Sequence, residues 1–298
     1  LKTGSYPLTS AKEKVALIEQ IRTKAQELLE SGRVSCVIGY EAGTRGGTRP
    51  AFVYDPADVE RLVWNRECYA NLTTFLHDKK KPSRRGEEVP TVAVLVKPCD
   101  SRAINLLLGE AQIQRDKVYV IGLACGGMME QGTLQDRCLR CDLRVPIVYD
   151  VLIGEPPDVE VSDDLADVAA FEAKSAAERL EFWLKEFDRC IRCYACRQAC
   201  PGCYCDVCEF DRDDSLWIGM QIELPEKFFF HTFRAMHLAG RCVECNECER
   251  VCPMDIPLSL LNRKLVKEVS ELFGHKGGMT TDPTPFVTML ADGEVSLI

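Results

Sequence analysis

The sequence predicts an α/β N-terminal domain with parallel strands, followed by a mostly helical domain built around cysteines. Three observations predict it. Residues 91–96 and 118–123 are buried-strand runs with a helix between them, and a strand–helix–strand of that length implies parallel pairing by a right-handed crossover. Beyond residue 154 the apolar pattern changes to helical spacing. Finally, one cysteine pattern occurs twice in the second half, as Cys190-x2-Cys193-x2-Cys196-x3-Cys200-Pro201 and as Cys242-x2-Cys245-x2-Cys248-x3-Cys252-Pro253.

Along the first domain, residues 1–154, positions 10–31 read as an amphipathic helix. Ser10 and Glu13 form a capping-box pattern at its start and Gly32 suits its stop. Residues 33–40 and 51–54 read as strands, joined by the Gly-rich turn Gly43-Thr44-Arg45-Gly46-Gly47. Short helices are expected over 58–64 and 71–79. The basic run 79–85 reads as an exposed loop, either solvated or facing an acidic partner. In the crossover unit, Asp100 or Ser101 is expected to cap a helix through Leu108.

Gly154-Glu155-Pro156-Pro157 and the acidic stretch through Asp167 mark a linker. In the second domain, residues 155–298, helices are expected before the first cysteine run (Leu180, Trp183, Leu184, Phe187), over 225–238 and over 257–273. Small two-cluster ferredoxins flank such runs with strands. Here each run has helical flanks, so a helical ferredoxin-like domain is favoured.

The chemistry of the two runs follows from their spacing. Three thiolates within seven residues can wrap three irons of a 4Fe–4S cube, and the last cysteine of the other run reaches the fourth. The proline ends the wrapping loop. The expected ligand sets are therefore crossed: Cys190, Cys193, Cys196 and Cys252 for one cluster, and Cys242, Cys245, Cys248 and Cys200 for the other. Structural zinc gives no reason for two identical four-cysteine runs. Clusters of this kind carry electrons one at a time.

Four further cysteines lie in the first domain. Cys99 follows the end of one parallel strand and Cys125 the end of the next, so the crossover brings both to one rim of the sheet, where ligands bind. Cys138-x2-Cys141 adds two more thiols. These four match one more 4Fe–4S cluster; buried free cysteines and a zinc site are the alternatives. Cys203-x-Cys205-x2-Cys208 follows the first run without a fourth partner in sequence. The three could line the cluster pocket, hold zinc with an outside ligand, or belong to another metal site. Cys36 and Cys68 stand alone and read as core packing.

Weaker signals complete the reading. Gly43, Gly46 and Gly47 form either a phosphate- or flavin-cradling nest or a plain hairpin turn. No strict dinucleotide-binding glycine pattern accompanies them. His77, His231, His237 and His275 lack metal-ligand spacing and read as packing or hydrogen-bonding residues. Arg189, Arg192, Arg197, Arg241 and Arg250 surround the cysteine runs, either to offset cluster charge or as surface ion-pair partners. No catalytic residue is assigned. The 298 residues give room for about two domains. The 46% hydrophobic and 28% charged content is ordinary, and a net charge of −9 argues against nucleic acid as a partner. The seventeen cysteines, the absence of an apolar leader over residues 1–9 and the absence of any spanning apolar run set the expectation of a cytoplasmic protein with no membrane span.

The Lys97-Pro98-Cys99-Asp100 loop, the strand ending at Cys125, the paired runs and the Cys200-Pro201-Gly202-Cys203-Tyr204-Cys205 continuation together resemble a group of redox subunits. These are sulfhydrogenase beta subunits, anaerobic sulfite reductase A subunits, and the beta subunits of deazaflavin-coenzyme-reducing hydrogenases and formate dehydrogenases. The resemblance is most specific from about residue 90 onward. It implies a third cluster on Cys99, Cys125, Cys138 and Cys141. It also implies a cytoplasmic complex with a flavoprotein and a catalytic subunit, in which this chain is a non-catalytic relay. A rival reading gives the chain its own FAD, with which it splits hydride from a soluble carrier. A second rival makes the metal structural or sensing.

Overall fold

The computed structural model describes residues 11–79, 89–130, 132–158, 161, 165–212, 214, 219 and 221–285. The leader region, Ser10 of the capping-box pattern, most of the basic run 79–85 and part of the acidic linker lie outside the described residues. The chain divides into two compact units, Leu1–Asp163 with Met279–Thr281, and Asp164–Gly278 with Asp282–Ile298.

The first unit opens with α1 (Ala11–Glu30), whose Ile21, Ala25 and Leu28 are buried. It stops at Gly32, which takes the left-handed conformation at φ 65°. β1 (Cys36–Ala42) and β2 (Thr48–Val53) form an antiparallel hairpin, with Tyr40 opposite Pro50. β2 is longer than the sequence pattern predicts. It lies at the sheet edge, where Pro50 costs no ladder hydrogen bond. The helices expected over 58–64 and 71–79 are 3-10 turns, Pro56–Arg61 and Leu72–Lys79. Asp55 caps the first of them by accepting from the Ala57 N–H at 2.9 Å.

β3 (Val92–Val96), α2 (Pro98–Gly109) and β4 (Val118–Leu123) form the crossover unit, with β3 and β4 parallel. Every residue of both strands is buried, as central strands covered on both faces require. The cap of α2 differs from expectation. Lys97 is the N-cap and Pro98 takes the first turn, so Asp100 lies inside the helix. The sequence pattern gives no hint of the short hairpin β5 (Met129–Glu130) and β6 (Thr133–Leu134), the single turn α3 (Asp136–Leu139), or β7 (Val151–Ile153). β7 extends the sheet, whose order is β2-β1-β3-β4-β7. Three residues carry too little periodicity to be read, but the Asp150 carboxylate accepts the Val120 N–H at 2.6 Å and fixes the approach of β7.

The second unit contains α4 (Ala166–Glu172), α5 (Ala176–Asp188), α6 (Ala195–Gln198), α7 (Leu224–His237), α8 (Glu247–Arg250) and α9 (Leu258–Phe273). Ser175 and Glu178 form a reciprocal capping box at the start of α5, at 3.3 and 2.8 Å. Its core mixes rings with sulfur: Phe187, Phe210, Phe230, Ile256 and Leu258 pack with Cys190, Cys196 and Cys248. The buried Arg263 of α9 pairs with Asp167 of α4 at 2.8 Å and with Glu244 at 3.0 Å. No helix among the described residues is long and apolar enough to cross a membrane.

Gly109 closes α2 where the returning segment 279–281 passes. A Cβ there would sit 2.6 Å from the Thr281 carbonyl oxygen. Gly109→Ala is expected to lower stability by about 1–3 kcal/mol, the usual cost of forcing extra volume against fixed backbone. Denaturant unfolding under anaerobic conditions measures it, and an unchanged midpoint would contradict the close approach.

Candidate metal-cluster site

The two cysteine runs fold the same way, bond for bond. The Arg192 N–H donates to Cys190 Sγ at 3.3 Å, and the Glu244 N–H donates to Cys242 Sγ at 3.4 Å. These N–H groups point inward because Arg192 and Glu244 adopt the left-handed conformation, at φ 52° and 56°. Tyr194 and Asn246 repeat it two residues later, at 58° and 55°. Left-handed backbone costs roughly 1–2 kcal/mol for a residue with a side chain. Four such residues at matching places indicate a loop shape held for its sulfurs. Each run then makes one short helical turn, α6 or α8, and the Cys200 and Cys252 N–H groups close onto Arg197 and Glu249 carbonyls at 3.1 and 3.0 Å.

The runs also interlock. Burial raises the thiols of Cys190 and Cys196, the latter to about 11, and the nearby Cys252 adds to both shifts. Burial likewise pushes Cys245 and Cys248 up, with Cys200 of the first run contributing to each. Cys200, Cys242, Cys245 and Cys248 line one cavity. The structure thus brings Cys252 to Cys190 and Cys196 of the first run, and Cys200 to Cys242, Cys245 and Cys248 of the second. Cys193, the most open of the set, is exposed.

The third group forms on the first unit's sheet rim. Burial raises Cys99 well above the ordinary thiol range, with the Asp100 carboxylate and Cys141 adding to it. Burial raises Cys125 to about 12, with contributions from Cys138 and Cys141. Cys141 thus neighbours Cys99, Cys125 and Cys138, and Cys125 neighbours Cys138. The Gly127 N–H donates to Cys125 Sγ at 3.4 Å and the Met128 N–H to Cys138 Sγ at 3.3 Å. Gly127 has φ 101°, so this loop also puts a positive-φ residue two places after its cysteine.

Beneath Cys99 lies a fully buried polar network that sequence reasoning missed. Lys97 Nζ sits 2.7 Å from the Asp100 carboxylate, donates to the Tyr40 hydroxyl, and donates to the Ala70 carbonyl at 2.8 Å. Burial alone would discharge Lys97, but Asp100 and Tyr40 more than offset it and hold the ammonium. Pro98 between Lys97 and Cys99 was the available signal, since proline favours the first helical turn and fixes where Lys97 must lie.

The cysteine runs have a basic backing as well. On α7, Lys227, Phe230, His231 and Arg234 are buried, at helical spacing. Lys227 Nζ donates to the Asp188 carbonyl at 2.6 Å. His231 stacks on Phe187, with ring centroids 4.6 Å apart. Arg234 donates to the Cys196 carbonyl at 2.9 Å, and Cys200, Cys203, Cys248 and Cys196 all hold its guanidinium charged against burial. The arginines singled out from sequence mostly staple loops. Arg192 donates to the Gly219 and Gln221 carbonyls at 2.7 and 2.6 Å, Arg197 pairs with Asp211 at 2.8 Å, and Arg250 pairs with Glu247 at 2.6 Å. Arg189 pairs with Glu186 at 2.8 Å and Arg241 covers the Tyr204 ring at 5.0 Å. Arg234 was not singled out from sequence; a charge at an apolar position of α7 was the available signal.

Buried polar atoms test whether a cluster suits these residues. Arg192 Nε, Arg234 Nε and both ring nitrogens of His231 are enclosed without a hydrogen-bond partner. Leaving the arginine donors and the single N–H of the neutral imidazole unmet costs about 1–3 kcal/mol each. Cluster sulfides and cysteine thiolates are acceptors of the kind they lack, so the residues fit a 4Fe–4S group. Among the described residues, no three His, Cys, Asp or Glu side chains converge as around one ion.

The Gly43–Gly47 loop is a hairpin turn. The Gly43 N–H donates to the Gly47 carbonyl at 3.0 Å and the Gly46 N–H to the Gly43 carbonyl at 3.3 Å. Two of the N–H groups proposed for a nest are thus directed into the loop itself. Cys36 and Cys68 are fully buried, and burial raises the Cys68 thiol to about 11. Cys203 and Cys208 are half-buried and Cys205 is exposed.

Residues 89–211 match the family described as the C terminus of the coenzyme F420 hydrogenase/dehydrogenase beta subunit. Two relatives are similar over most of their length. One is an F420-dependent formate dehydrogenase subunit beta of Methanocaldococcus jannaschii, 24% identical, covering 79% of this chain and 85% of the relative. The other is an F420-dependent formate dehydrogenase 1 subunit beta of Methanococcus maripaludis, 25% identical, covering 87% of this chain and 90% of the relative.

Lys97→Met strands the Asp100 carboxylate in the core and is expected to cost about 3–5 kcal/mol. Adding Asp100→Leu removes both charges and should recover a large part of that loss. Unfolding midpoints of the single and double variants decide. Equal stability of wild type and Lys97→Met would show that the pair is not buried as described.

Proposed function

We propose that this chain is the beta subunit of a multi-subunit oxidoreductase, relaying single electrons through 4Fe–4S clusters between a partner's flavin and a partner's catalytic centre. The observation that carries the reading is the crossed neighbourhood of the two runs, with Cys252 beside Cys190 and Cys196, and Cys200 beside Cys245 and Cys248. The likeness to formate dehydrogenase beta subunits supports a place within such a complex.

In this reading Cys190, Cys193, Cys196 and Cys252 hold one cluster, and Cys242, Cys245, Cys248 and Cys200 a second. Cys99, Cys125, Cys138 and Cys141 hold a third. Each cluster supplies one-electron carriage when bound. The chain's own residues do the rest. Backbone N–H groups of Arg192, Glu244, Gly127 and Met128 direct hydrogen bonds at sulfur, which shifts the ease of reduction. Phe187, Phe210 and Phe230 shield Cys190, Cys196 and Cys248 from water. Lys97 and Arg234 place fixed positive charge beside thiolates that burial alone would neutralise. No proton-transfer or nucleophilic side chain is needed. A flavin bound by this chain itself gains no support from the Gly43–Gly47 hairpin.

Iron and acid-labile sulfide analysis of anaerobically purified protein tests the reading. At least about twelve irons per chain are expected from three cubes. Cys99→Ser should lose about four of them while the other clusters keep their spectra. A full iron count in Cys99→Ser would remove the third cluster, and an iron-free wild type would sink the whole reading.

A further inference from the structure

The three cysteines left without a role, Cys203, Cys205 and Cys208, share one cavity of about 220 Å³ in the second unit. Arg197, Arg234, Arg241 and His237 line the same cavity, together with Asp206 and Asp211. Phe210 and Phe230 supply part of its apolar wall. The loop that carries the cysteines is pinned at both ends. The Cys203 N–H bonds the Cys200 carbonyl at 3.0 Å, and the Asp211 N–H bonds the Cys208 carbonyl at 2.8 Å. Between those ends, Tyr204 lies under the Arg241 guanidinium.

Three features define what the cavity would take. First, three thiols within six residues repeat the local density of the two ferredoxin runs, which suits a core whose irons each take one thiolate. Second, the space is too large for one ion. At about 220 Å³ it exceeds what a single zinc with its sulfurs at about 2.3 Å requires. Third, cations line the wall: Arg197, paired with Asp211 at 2.8 Å, and the Arg234 and Arg241 guanidinium groups all border the cavity that the three thiols share. Arg234 is 5% exposed and its Nε has no hydrogen-bond partner, a buried donor lying on the wall of this cavity as well as on that of the Cys242 run.

We propose that this cavity is an additional 4Fe–4S site, with Cys203, Cys205 and Cys208 as its protein thiolates. Its fourth iron takes either His237, on the same wall, or a ligand from solution. The site opens to solvent at the exposed Cys205, so it would stand at the surface as a point of contact for an external redox partner. The inference rests on the relay reading but fails separately from it.

The test uses the anaerobic full-length chain with reconstituted iron and sulfide. Cys205→Ser with Cys208→Ser is the informative variant, because Cys203 neighbours Cys200 and is left in place. Wild type is expected to hold about sixteen irons, and the variant about four fewer, with Cys99→Ser losing its own four additively. The single variant Cys205→Ser, altered at an exposed position, guards against misfolding. It should lose the same four irons as the double variant while circular dichroism stays unchanged. About twelve irons in both wild type and double variant would overturn this site and leave the relay intact. Loss of zinc rather than iron in the double variant would overturn it as well.

Discussion

Burying cysteine sulfur is the constraint on which the rest of the structure depends. A thiol away from water resists ionisation, and here burial drives Cys196 to about 11 and Cys125 to about 12. A chain that gathers such groups must supply positive charge or hydrogen-bond donors at close range. This one does both in each unit, by N–H groups aimed at Sγ and by a buried cation. In the first unit the cation is Lys97 and in the second it is Arg234.

The donors are bought with backbone strain. Arg192, Tyr194, Glu244 and Asn246 all hold left-handed conformations that L-residues avoid. The strain is maintained because the following turns, α6 and α8, and the aromatic core around Phe187 and Phe230 fix both loops from outside. Helices rather than strands flank the runs for the same reason. A helix can present several buried side chains at one sulfur-rich face, and α7 presents Lys227, His231 and Arg234 on the face that packs inward.

Much of this was legible in the residues. Cysteine spacing with a following proline pointed to two runs of one kind, and both take the same backbone shape. The β3-α2-β4 unit was legible from two continuous apolar runs, and with it the shared rim of Cys99 and Cys125. Elements without periodicity escaped: β7 is held by Asp150 rather than by a pattern, and β5 and β6 are two residues each. The cap of α2 was misplaced because an acidic residue near a helix start reads as a cap, while Asp100 instead answers the buried Lys97. Arg234 was missed because attention to arginines followed their distance in sequence from cysteine, whereas the fold brings it there from another helix.

Low-temperature electron paramagnetic resonance of the dithionite-reduced, full-length chain tests the central claim most directly. Crossed ligand sets would place two clusters within one small helical unit, close enough for their unpaired spins to interact. The account predicts the broadened, mutually split spectrum of two coupled reduced 4Fe–4S clusters, simplified when Cys200 or Cys252 is replaced by Ser. A protein that shows only isolated, non-interacting signals, or that is silent because it carries zinc in place of iron, would contradict it.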